Sequence, residues 1–250
     1  MAYEIRAMSF AEILDTGFRL LRDHFALLVG LSALVNVPVA LANFGIQQGV
    51  LTHGRGVALV GLLLYSLVAG PIVGTAVTFA VGELYVGHPI TAGHALRHIL
   101  RLVGPLAVTG LLSGLAICAG FLLLVVPGIY AMLAFMLLWQ VVVLEGISGR
   151  AAMRRSRTLM RGNMRRGFGI TVLGLLIGGL VGGVLGVALK FLGPMIAELG
   201  GALAQAMNNA FVAAVEVVLY FDIRCRKEAF DLEHLARVVA SAPQMEPQPA

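Results

Sequence analysis

The chain has 250 residues, 59% of them hydrophobic and only 12% charged, with a mean hydropathy of +0.91 and a net charge of +5. A soluble domain carries about 25% charged residues, so this composition leaves too little polar surface to coat a water-soluble globule. The class expected is an all-α polytopic membrane protein. Its two cysteines, Cys118 in an apolar run and Cys225 in a basic segment, fall at different depths and do not predict a disulfide.

In chain order, Ser9-x-x-Glu12 is a capping box and predicts an amphipathic helix from Ser9 to His24. Phe10, Ile13, Leu14, Gly17, Phe18 and Leu21 line one side, with Glu12, Asp15, Arg19, Arg22 and Asp23 on the other. About 20 apolar residues cross a bilayer, and six runs qualify as spans: 25–44, 57–81, 102–125, 129–144, 168–192 and 197–221. Pro38 and Pro71 are expected to kink the first two. A Pro127-Gly128 turn is expected to part the third from the fourth. Two more amphipathic segments, Thr91–Arg101 and Ser148 to about Arg166, precede the third and fifth spans. The expected architecture is three hairpins, each led by an interfacial helix whose apolar side lies in the acyl boundary. Residues 1–230 form one transmembrane domain, and 231–250 are expected to be a disordered cytoplasmic tail.

Of the 18 Lys and Arg residues, all but Arg55 and Lys190 fall in the N-terminal segment, the second and fourth connections, and the tail. Basic residues favour the cytoplasmic side, so both termini are expected there. The Ala, Gly, Leu and Arg usage suits a GC-rich bacterium, which makes the cytoplasmic (inner) membrane the expected location.

The fourth connection is the densest feature. Arg150, Arg154, Arg157, Arg161 and Arg165 form a cationic stripe, with Ala152, Met153, Leu159 and Met160 opposite. Anionic headgroups attract such a segment at about 1 kcal/mol per basic residue. A membrane or cytoplasmic protein partner is the other candidate, and no aromatic platform points to nucleic acid. Glu145 is expected to pair with Arg150, Arg154 or Arg155, Glu83 and Asp222 to act similarly, and Glu198 to meet Lys190.

Ionisable groups inside a membrane are costly and therefore functional candidates. Asn208, Asn209 and Glu216 in the sixth span read either as a proton or cation site on a polar path, or as hydrogen-bonded packing groups. Gly174, Gly178, Gly182 and Gly186 recur every four residues and predict close helix packing. His94 and His98 share a helical face near His88, but no Glu or Cys completes a metal site. No nucleotide, zinc-protease or serine-hydrolase motif occurs. No catalytic residue, metal or cofactor is expected, and the oligomeric state is open.

Three stretches carry a family resemblance: Val126-Pro127-Gly128-Ile129-Tyr130; Leu144-Glu145-Gly146 with Gly149, Ala152, Arg155-Ser156, Leu159 and Arg161-Gly162; and Ser9 to Asp15. Over nearly the whole chain the sequence resembles the membrane domain associated with glycerophosphoryl diester phosphodiesterases and related multi-span bacterial proteins. Arg157 departs from the pattern, which commonly has an aromatic residue there. The soluble phosphodiesterase domain of some members has no counterpart here, so that activity is not expected. The leading expectation is a non-catalytic scaffold or anchor that engages anionic lipid or a partner. The alternatives are a small-solute or ion transporter or channel using Glu216, and an accessory to a lipid-processing enzyme.

Overall fold

A computed structural model describes residues 6–48, 55–230 and 232; the tail expected from 231 onward otherwise lies outside the described residues. The elements are α1 (Phe10–Asp23), α2 (Phe25–Gln47), α3 (Arg55–Val86), α4 (Ala92–Arg101), α5 (Val103–Leu123), α6 (Val125–Ala134), α7 (Leu138–Leu144), α8 (Gly149–Met160), α9 (Met164–Lys190) and α10 (Pro194–Glu228). No strand occurs among the described residues. Six helical segments are long and apolar enough to cross a membrane: α2, α3, α5, α6 with α7, α9 and α10. The chain is an all-α polytopic membrane protein.

Local chemistry starts the amphipathic helices. At α1, Ser9 Oγ accepts from Glu12 N at 3.3 Å and Glu12 Oε2 accepts from Ser9 N at 2.7 Å, closing both halves of the capping box. That backbone N–H, followed by Arg6 at 2.6 Å, holds the Glu12 carboxyl down at about 2. At α4, Thr91 Oγ1 accepts from His94 N. Ser148 does not cap α8. Its first N–H, on Gly149 at φ +62°, donates instead to Thr109 Oγ1 of α5 at 2.7 Å.

The bundle is built around α10, which packs on α1, α2, α3 and α9. From Ala210 to Ile223 nearly every side chain of α10 that faces a neighbour is buried, and Val215, Val217, Val218 and Leu219 are fully so. Two contacts fix the register of the bundle. Tyr85 stacks on Phe221 at one end (ring centroids 5.1 Å apart), and Gln47 Nε2 donates to Glu198 Oε1 at 2.8 Å near the other. Glycines set the closest approaches: a Cβ at Gly17 would fall 2.6 Å from Val215 Cγ2, and one at Gly174 would fall 2.8 Å from Val212 Cγ2.

Several expectations are corrected. The fourth span is two helices, because the chain turns at 135–137 between α6 and α7. Ser156 Oγ of α8 donates to the Ala134 carbonyl at 2.9 Å, taking one of the carbonyls that the break releases. Pro127-Gly128 is no turn. The chain reverses at Leu124, and Pro127 sits in the first turn of α6, where its missing N–H costs nothing. Pro38 and Pro71 do lie inside the first two spans, within α2 and α3. α8 ends at Met160, so Arg161 is its C-cap and Arg165 belongs to α9 rather than to the same stripe. The apolar side of α8 does not face lipid: Ala152, Leu159 and Met160 are buried, and the helix packs on α5 and α7. Half the glycine stripe packs as expected, Gly174 and Gly178 on α10, but a Cβ at Gly182 or Gly186 would meet nothing within 4 Å. Glu198 takes its hydrogen bond from Gln47, not from Lys190.

Candidate functional site

Two polar sites stand out: a basic layer at one end of the bundle and a cavity inside it. In the basic layer the fold divides the arginines into two groups. Arg155 turns inward. Its Nε donates to Glu145 Oε2 at 2.8 Å, and Nη2 donates to Glu145 Oε1 at 3.0 Å and to Glu228 Oε2 at 2.9 Å, with Nη1 also on Glu228. These two carboxylates, Glu228 first, push the guanidinium pKa up, so it stays charged. Tyr220 OH donates to the same Glu145 at 2.8 Å, and Arg224 lies 4.2 Å over the Phe230 ring. The cluster ties α7, α8 and α10 together.

Arg166 also turns inward. Its Nη1 reaches Asp222 Oδ2 at 2.7 Å, and Arg226 Nε reaches Asp222 Oδ1 at 3.0 Å. The Asp222 side chain is completely buried. Its third donor is the backbone N–H of Met8 at 2.6 Å, while the Met8 carbonyl accepts from Arg226 Nη2 at 2.7 Å. This knot pins the segment leading into α1 to α10.

Arg150, Arg154, Arg157, Arg161 and Arg165 are exposed, and no carboxylate among the described residues pairs with them. Arg157 leans over Tyr130, with Nε 3.2 Å from the phenol oxygen and the guanidinium 5.7 Å from the ring centre. Tyr130, Arg157, Thr158 and Arg161 line a hollow of about 360 Å³. Beside it, Lys227 Nζ donates to the Thr158 and Arg161 carbonyls at 2.7 Å each, countering the negative end of α8.

The second site is a cavity of about 510 Å³ between α3, α9 and α10, closed on one side by Trp139. Gln205, Asn208, Asn209, Glu216, Thr75 and Thr78 line it. Glu216 accepts a hydrogen bond at 3.0 Å from Gln140 Nε2 of α7. Gln140 was not a candidate from the sequence, although a lone amide in an apolar run was the available signal. Asn209 Oδ1 accepts from Gln205 at 2.8 Å. The buried oxygens Gln140 Oε1 and Asn208 Oδ1 have no hydrogen-bond partner among the described residues. The two threonine hydroxyls turn back onto the carbonyls of Pro71 and Gly74. The arrangement offers acceptors and a carboxylate to a ligand that brings donors.

The remaining candidates are structural. His98 stacks on Phe79 (centroids 4.1 Å apart, planes 6° apart) with His94 edge-on, and His88 pairs with Glu83 at 3.0 Å. No cluster of three metal-ligating side chains occurs among the described residues. Cys118 is exposed and Cys225 is buried, and no disulfide joins them. No protein-family model, no curated protein and no solved structure matches the chain, so the functional reading rests on this geometry.

Proposed function

We propose that the protein is a non-catalytic membrane scaffold whose basic, cytoplasmic face holds anionic lipid headgroups and through them, or directly, a protein partner. One observation carries this reading. Arg155 and Arg166 hold the fold together, whereas Arg150, Arg154, Arg157, Arg161 and Arg165 stay exposed and without carboxylates among the described residues. At about 1 kcal/mol per basic residue near an anionic surface, five such groups supply about 5 kcal/mol, weakened by salt. Replacing Arg154, Arg157 and Arg161 by Gln is expected to reduce anionic lipid retained through mild detergent extraction, read by native mass spectrometry. Retention equal to that of the parent refutes the proposal. A second protein at fixed stoichiometry would identify the partner; a lipid-processing enzyme is the class the family resemblance suggests.

The Glu216 cavity favours a second reading, transport or binding of a small cation. Its support is a carboxylate that takes its hydrogen bond from a neutral amide, beside two buried acceptors without donors among the described residues. Under that reading Glu216→Gln changes cation or proton flux in proteoliposomes, and equal flux in both forms rules it out.

A further inference from the structure

Length and composition supply six candidate crossings, but the packing of one pair points elsewhere. We infer that the α5–α6 hairpin enters and leaves the leaflet on the basic side, with its apex among acyl chains and α8 lying over it at the phosphate level. The first argument is reach. Gly110 of α5 lies against the Trp139 ring, whose neighbour Gln140 meets Glu216, and this puts the Gly110 part of the hairpin near the depth of Glu216. From Gly110 to the reversal at Leu124 a helix rises about 21 Å, whereas α10 travels about 33 Å from Glu216 to its far end at Pro194. Even a hairpin parallel to α10 ends about 12 Å of helix short of Pro194. The hairpin also leaves the bundle: the main neighbours of α5 are α6 and α8, not α2, α3, α9 or α10.

The second argument is the arginines. α8 lies on the hairpin through Gly149 N on Thr109, Ser156 on Ala134 and Arg157 on Tyr130. Tyr130 is only about 9 Å of helix from the apex. Were the hairpin upright in the bilayer, Arg157 and Arg161 would lie in hydrocarbon with no carboxylate among the described residues, where arginine is strongly disfavoured. Inclined into one leaflet, the same hairpin leaves both guanidiniums among headgroups.

The third argument is the apex. Phe121 to Val126 is an unbroken apolar run, 44–88% exposed. By contrast, the far end of the α9–α10 hairpin carries Lys190, Gly193 and Pro194, and α2 ends on Gln47 and Gln48. The outer face of α5, with Leu111, Leu115 and Leu122 at 60–88% exposure, suits the acyl region of an interfacially seated element. Four helices, α2, α3, α9 and α10, then cross, and both described chain ends stay on one side. The inference does not depend on whether the arginines retain lipid.

The test uses the full chain with Cys118→Ser, the buried Cys225 retained, in phosphatidylethanolamine–phosphatidylglycerol vesicles. Leu124→Cys, Leu123→Cys, Leu192→Cys and Arg154→Cys are each spin-labelled, and depth is read from collisions with oxygen and a polar nickel chelate. Both apex labels are expected in the basic-side leaflet, between the Arg154 label and the bilayer midplane. A membrane-impermeant maleimide that reaches Leu192→Cys is expected to leave the apex cysteines unlabelled. Apex labels at the depth of the Leu192 label, or reacting from its side, overturn the inference, and the two apex positions guard against one variant misfolding.

Discussion

Asp222→Asn tests whether the buried knot at the base of α10 holds the protein together. The carboxylate is wholly buried and takes three donors: Met8 N at 2.6 Å, Arg166 at 2.7 Å and Arg226 at 3.0 Å. Asn keeps one oxygen, enough for Met8, but removes the charge that the two guanidiniums face. A hydrogen bond to a charged group contributes about 1.5–3 kcal/mol, and breaking a buried pair costs about 3–5 kcal/mol. Both arginines are partly exposed and can turn to water, so the lower end of that range, about 3 kcal/mol, is expected. For a chain of this length each kcal/mol moves Tm by about 2–4 °C, giving a fall of about 6–12 °C for protein in detergent. Hydrogen exchange at Met8 and Ser9 should rise in the same variant, while exchange around Gln140 in α7 stays as it was. A fall below about 2 °C with unchanged N-terminal protection refutes the reasoning.

Three further outcomes are expected. Thr109→Val removes the acceptor for Gly149 N, a cap supplied from another helix, and should cost about 1–2 kcal/mol by thermal unfolding; an unchanged Tm means that water or Ser148 replaces it. Gly17→Ala should destabilise by about 1–3 kcal/mol, because its Cβ would lie 2.6 Å from Val215 Cγ2 and 3.2 Å from the Val215 backbone, whereas Gly182→Ala should be neutral. Equal Tm for the two variants discounts the close approach. Because the Glu12 carboxyl is held down at about 2, its contribution is present above its unfolded value near 4.5 and lost as pH falls through about 2. Amide exchange at Ser9, corrected for its intrinsic pH dependence, should rise across that window in the parent and not in Glu12→Gln.

The elements whose causes are local could be read from the sequence. The capping box at Ser9 and Glu12, the start of α4 at Thr91 and the positions of the apolar runs all appear where expected. The break at 135–137 could not be read, because Phe135-Met136-Leu137 contains neither proline nor glycine. What accommodates the break is a hydroxyl more than twenty residues away, Ser156 on Ala134. The two classes of arginine were equally opaque. Arg154 and Arg155 are neighbours on one helix, and only the arrival of Glu145 and Glu228 from two other helices distinguishes them. Gln140 escaped notice for a related reason: an amide in an apolar run gains meaning only when Glu216 is placed 3.0 Å away. Glycine spacing predicted a contact face but not which residues carry it: Gly182 and Gly186 meet nothing, while the next close approach of α9 to α10 is Leu189 against Gly200.

The union of Met8 with Asp222 spans 214 positions of sequence, and this sets an order of events at the ribosome. α1 is made long before α10, yet the carboxylate that takes the Met8 N–H lies near the end of α10. Until that end is made, Met8 N lacks its carboxylate and Gly17 lacks the Val215 contact. A chain that lacks the end of α10 therefore also lacks the one carboxylate that takes Met8 N and Arg166 together, so the segment leading into α1 is held only once α10 is in place.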